Sequence, residues 1–138
     1  MTSVADSTDP HAECLPEDRS AQSGATLWRL AHDECPVVRQ SAAEDPLAPP
    51  DLLRTLADDE DWTVVIAVAE NTSTPPDCLA RLAGDSNRRD SIRWTAAANV
   101  RMPAETLTRL AVDGSAEIRR IVRAHPNSTA AARFAASL

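Results

Sequence analysis

Four aspartates stand at regular intervals, Asp33, Asp59, Asp85 and Asp113, and three arginines follow them at Arg39, Arg93 and Arg119. Carboxylates beside guanidiniums could form a general acid–base pair or an anion clamp. The regularity points instead to structure. An Asp near a helix start can satisfy a free N–H, and an Arg one turn on can pair with an Asp of its own or a neighbouring unit. A ladder of this kind recurs because its units recur, whereas a functional site should break the repeat. Other chemistry-bearing residues are scattered. His11, His32 and His125 form no ligand or relay spacing, and no metalloprotease, nucleophile-elbow or phosphate-loop motif occurs. Cys14, Cys35 and Cys78 are far apart, without a C-x-x-C pair, and their odd number argues against a disulfide framework. The expectation is idle thiols, with no catalytic residue, no metal and no cofactor.

The elements that carry these columns repeat with them. The pattern L-x-x-L-A occurs at Leu27–Ala31, Leu53–Ala57, Leu79–Ala83 and Leu107–Ala111, so the leading Leu advances by 26, 26 and 28 residues. An aliphatic residue opens a second segment at Val38, Val64, Ile92 and Ile118, followed four later by Ala42, Val68, Ala96 and Val122. The two extra residues of the third unit fall between Gly84 and Ile92, in a loop. Leu at i and i+3 with Ala at i+4 makes one apolar stripe of a helix. The first helix of a unit is predicted to begin near Pro50, Pro76 or Pro103, where Pro suits the opening turn. The second is predicted to close at Asp45, Asn71, Asn99 or His125. Neither helix can bury its stripe alone, so successive units must stack.

Composition agrees with an all-α chain. Apolar residues make up 43% but aromatics only 3%, so Ala and Leu carry the core, which favours closely packed helices. No apolar run approaches the roughly 20 residues of a membrane span, and the N-terminus lacks the basic start and apolar stretch of a signal peptide. A cytoplasmic protein is expected. All 14 basic residues are Arg, which with the heavy use of Ala suggests a GC-rich bacterial genome. The domain reading is a mobile acidic tail over 1–24 and a repeat region over 25–138. Repeats lie near 25–50, 51–76, 77–104 and 105–138, the last closing in a capping helix at Ala130–Phe134.

The consensus L-x-x-L-A-x-D, V-R, V-A-x-N-P-x-x-P resembles the leucine-rich repeat variant family of bacteria over roughly residues 25–135. Leu30-Ala31-His32-Asp33 with Val38-Arg39, Leu82-Ala83-Gly84-Asp85 with Ile92-Arg93, and Leu110-Ala111-Val112-Asp113 with Ile118-Arg119 carry the resemblance. The second unit departs from it, with Val65 in place of Arg. The resemblance implies a right-handed α-solenoid, here of about four two-helix repeats of 26–28 residues, similar to HEAT and armadillo arrays and serving as a protein-interaction scaffold. Some members carry an iron–sulfur domain held by clustered cysteines; nothing in this chain matches it.

A binding face follows from helical geometry. With Val38, Val64, Ile92 and Ile118 buried, residues two further on lie about 200° around the helix and should face solvent. They are Gln40, Ile66, Trp94 and Arg120, and Glu44, Glu70, Ala98 and Ala124 share their side. Apolar Ile66 and Trp94 beside Arg120 have the composition of an interaction hot spot. The partner-binding residues expected are therefore Ile66, Trp94, Arg120, Gln40 and Glu70, with Trp28 and Trp62 assigned to packing.

Charge gives the alternative. Residues 1–24 carry −4, 25–86 carry −8 and 87–138 carry +5, for a net charge of −7. Arg88, Arg89, Arg93, Arg101, Arg109, Arg119, Arg120 and Arg123 make the C-terminal half basic, so a nucleic-acid-binding helical-repeat protein is the second reading. The acidic half opposes phosphates, and an unidentified protein or peptide is the favoured partner over nucleic acid or a membrane.

Overall fold

The computed structural model describes residues 24–138, which form helices joined by short turns, without strands. The expected tail lies outside these residues except for Gly24, which opens the first helix. The order is α1 (Gly24–Ala31), α2 (Pro36–Glu44), α3 (Pro50–Leu56), α4 (Trp62–Glu70), α5 (Pro76–Gly84), α6 (Asp90–Ala98), α7 (Ala104–Leu110), α8 (Ala116–Ala124) and α9 (Ala130–Ser137). The chain is all-α.

Local chemistry sets the boundaries. Pro36, Pro50 and Pro76 each take a first helical position, where the missing N–H costs nothing. Pro103 stands one residue earlier, outside α7. Side-chain caps begin three helices: Asp61 accepts from Thr63 N–H, Ser115 from Ile118 N–H and Thr129 from Ala132 N–H. The second helices α2, α4, α6 and α8 stop at Asp45, Asn71, Asn99 and His125, as predicted, because each adopts an extended backbone.

Apolar stripes then dictate packing. Leu52, Leu53 and Leu56 of α3, Leu79 and Leu82 of α5, and Leu107 and Leu110 of α7 are buried against Val64, Val68, Ile92, Ile118 and Val122 of the second helices. Helix α2 packs on α4, α4 on α6 and α6 on α8, so the second helices adjoin in chain order. Small residues line these contacts: Ala43, Ala69 and Ala97 are fully buried, where a larger side chain would push the helices apart. The same column holds Arg123 on α8, whose guanidinium donates to Ala136 O at 2.9 Å. Helix α9 packs on α7 and α8, as α3 packs on α1 and α2. It therefore occupies the place of a further first helix, with Ala132 and Ala136 turned inward and Phe134 exposed.

A polar ladder fixes the register of the second helices. The Asn71 amide donates to Ala43 O at 2.7 Å and Asp45 O at 2.9 Å, on the helix before it. Asn99 repeats this to Ala69 O at 2.8 Å and Asn71 O at 3.1 Å. His125 Nε2–H donates to Asn99 O at 2.8 Å while its Nδ1 accepts from Asn127 N–H at 3.0 Å, which defines the tautomer. Each rung also holds its own turn: Asn71 Oδ1 accepts from Ser73 N–H and Asn99 Oδ1 from Arg101 N–H. Asp45 in the same column only accepts, from Leu47 N–H at 2.8 Å. No second helix precedes α2 among the described residues, so an acceptor suffices there.

The acid–arginine columns are structural, as expected, and they cross between units. Arg39 Nε donates to Asp59 at 2.7 Å and Arg93 Nη2 to Asp113 at 2.5 Å, each Asp belonging to the next unit. Arg119 instead reaches Asp113 O at 2.6 Å. The aspartates do not cap the helices themselves. Asp33, Asp59 and Asp113 accept from the N–H of Cys35, Asp61 and Ser115, the residues that precede the second helices. Asp85 accepts from Asn87 N–H, inside the lengthened loop. Between the second and third units no such arginine exists; Val65 fills its place, 1% exposed.

One expectation about cysteine is corrected. Cys35 is disulfide-bonded, so an odd cysteine count did not exclude a bridge. Cys78 is a free, buried thiol, and burial pushes its pKa up.

Candidate interaction site

The ladder determines which side chains share a row. Gln40, Ile66, Trp94 and Arg120 each stand five residues before a rung, Asp45, Asn71, Asn99 and His125. Because the rungs are bonded helix to helix, the four residues occupy one level across α2, α4, α6 and α8. Of the four, Trp94 and Arg120 are exposed, while Gln40 and Ile66, expected to face solvent, are partly buried.

Its members differ in what holds them. The Gln40 amide donates to Glu44 Oε1 at 2.8 Å, which occupies both groups locally. Ile66 is half-buried and packs against the core with part of its side chain. Trp94 is 36% exposed, and Arg120 is exposed, with Glu117 at 3.5 Å as its counterion among the described residues. The row therefore runs from a satisfied polar pair through an apolar centre to an available cation. Its apolar centre lies where α4 meets α6.

A cleft of about 400 Å³ opens on the same side, toward the C-terminal ends of α4 and α6. Glu70 and Ala98 form two of its walls, Thr72 and Thr95 others, and Ala69 and Asn99 its floor, with exposed Val100 at the rim. Glu70 was expected at this face; Thr72, Thr95 and Val100 were not. Val100 lies in the turn after α6, whose direction is set by Asn99 and which helical periodicity does not describe.

The other tryptophans take different positions. Trp28 is half-buried against the core and stacks on His32 with ring centroids 6.0 Å apart. Trp62, the first residue of α4, is 45% exposed, and the Arg89 guanidinium lies 5.0 Å from its ring centroid. The aromatic that meets the lengthened loop is thus Trp62.

Exposed ion pairs tie the first helices. Arg81 pairs with Asp58 at 2.7 Å and Arg54 with Asp77 at 3.1 Å. Hydrogen bonds from these guanidiniums hold both carboxyls below their usual range. A carboxyl whose folded pKa is depressed contributes stability above its unfolded value and loses it as pH falls through the folded value. Thermal stability should therefore stay level through neutral pH and decline below about pH 4. The decline should be shallow, because water and salt screen both pairs. Melting curves across pH for wild type and for Asp58→Asn test this: the variant should show a flatter acid limb, and an unchanged limb would refute the assignment.

Among the described residues no group of His, Cys, Asp and Glu is arranged to hold a metal ion, and no helix is long and apolar enough to cross a membrane. Comparison with family models, with curated proteins and with solved structures finds no match to this chain.

Proposed function

We propose that this chain is a right-handed α-solenoid of the leucine-rich repeat variant kind that acts as a non-catalytic, cytoplasmic scaffold for a protein or peptide. The face engaged is the second-helix row of Ile66, Trp94 and Arg120 together with the Glu70 cleft. The supporting observation is the exposure of Trp94 in a row held level by buried hydrogen bonds. A preformed surface loses little conformational freedom on binding. Trp94 offers a large apolar area, while Arg120 and Glu70 at the edges supply charges of both signs for orientation. A partner segment with an apolar anchor flanked by an acid and a base fits this arrangement.

Peptide display against the full chain, followed by titration of the enriched peptides, tests the proposal. Trp94→Ala should weaken binding by about 2 kcal/mol, roughly thirtyfold. Its melting temperature should fall by only a few degrees, since the ring is already partly in water. A large fall in stability would place Trp94 in the core. Equal affinity of wild type and variant would move the interaction elsewhere on the molecule.

A further inference from the structure

The first helices contain a second departure from the repeat, at a position where the preceding unit makes an ion pair. Arg81 stands two residues after the leading Leu79 of its unit, and Arg109 two after Leu107. Arg81 reaches back to Asp58 on the unit before it, at 2.7 Å. Asp58 stands five after Leu53, and the residue five after Leu79 is Gly84. Arg109 therefore has no carboxylate in the place where Arg81 finds one. Among the described residues its side-chain partner is the Thr106 hydroxyl alone, at 3.5 Å.

A cavity of about 400 Å³ occupies this place, lined by Ala80, Arg81, Gly84, Thr106, Arg109 and Leu110, with Asp113 at its edge. A Cβ built on Gly84 meets nothing within 4 Å. The opening is a consequence of side chains that are missing. The charges around it favour an anion. Asp113 is engaged by Arg93 at 2.5 Å, and Asp58 is shared by Arg81 and Arg88. Arg109 remains as the uncompensated cation, beside the methyl and methylene surfaces of Ala80 and Leu110.

We infer that the cavity between α5 and α7 binds the carboxylate of an acidic peptide side chain, which takes the place that Asp58 holds one unit earlier. Arg109 donates to the carboxylate and the walls accept its methylenes. This site is separate from the second-helix row and stands whether or not that row binds a partner.

The test uses the full chain at low ionic strength and an N-acetylated, C-amidated oligoglutamate peptide, with sodium acetate in a parallel arm. The readouts are the NMR shifts of the Gly84 amide and the Arg109 Nε–H. Saturable shifts of both with the peptide are expected. Arg109→Gln should weaken binding roughly tenfold, the effect of one charge-assisted hydrogen bond. Gly84→Asp should abolish it by supplying the missing carboxylate from within the chain. Arg101→Gln, which removes the same charge elsewhere, should leave it within about twofold. Shifts that survive Gly84→Asp, losses equal in Arg109→Gln and Arg101→Gln, or a response to acetate without one to the peptide would each overturn the inference.

Discussion

Replacing Asn99 with Ala should destabilise the protein by about 3 kcal/mol and lower its melting temperature by roughly 10 °C. The Asn99 side chain is buried and serves three backbone groups at once: it donates to Ala69 O and Asn71 O and accepts from Arg101 N–H. Ala69 O lies in the last turn of α4, where carbonyls have no partner within their own helix. Alanine leaves Ala69 O desolvated and unpaired at the junction of the two central units and takes one of two bonds from Asn71 O, which keeps the Thr74 N–H. The cost is chiefly that of burying a polar group without a bond. Asn127 provides the internal control. Its amide also donates to two carbonyls, Val100 O at 2.8 Å and Met102 O at 3.0 Å, but the residue is exposed and water can replace it. Asn127→Ala should cost about 1 kcal/mol or less. Urea denaturation of both variants settles the comparison, and equal losses would show that burial is not what gives Asn99 its weight.

The second large effect concerns Arg93. It is 6% exposed, donates from Nε to Ala83 O at 2.9 Å and pairs with Asp113. Arg93→Ala removes the countercharge of a partly buried carboxylate, leaves Ala83 O unpaired and opens a cavity. A loss of about 3 kcal/mol is expected, at the lower end for buried pairs because Asp113 keeps some contact with water. Combining Arg93→Ala with Asp113→Asn should recover at least about 1 kcal/mol of that loss, since the uncompensated charge is then gone. Val65, in the same column, shows that an apolar side chain fits where the acid of the next unit, Asp85, has Arg88 as its partner instead. Additive losses in the double-mutant cycle would mean that Arg93 acts through packing and the Ala83 carbonyl alone.

These two side chains also mark the boundary between what a linear pattern shows and what it conceals. The recurrence of Leu27, Leu53, Leu79 and Leu107 was sufficient to place the helices, because an amphipathic stripe depends only on residues within one turn of each other. Likewise Asp45, Asn71, Asn99 and His125 were legible as helix ends. Their function was not, since the carbonyls that Asn71 and Asn99 bind lie a whole unit earlier in the chain. The Asp–Arg columns were readable as a ladder from their period. That the ladder runs from one unit to the next, with Arg39 on Asp59 and Arg93 on Asp113, follows from the stacking of α2, α4, α6 and α8.

The candidate face divides in the same way. Gln40, Ile66, Trp94 and Arg120 were identified by angle around a helix, and angle is a local property. The helices, their period and the side of each that faces the core are legible in the linear pattern, because these follow from neighbours along one chain segment. The level at which the helices meet, the cleft between Glu70 and Val100, the cavity that Gly84 leaves before Arg109, and the bonding of Cys35 are set by the folded arrangement. Each of these depends on groups brought together across units, and their separation is set by packing and buried hydrogen bonds that no single segment contains.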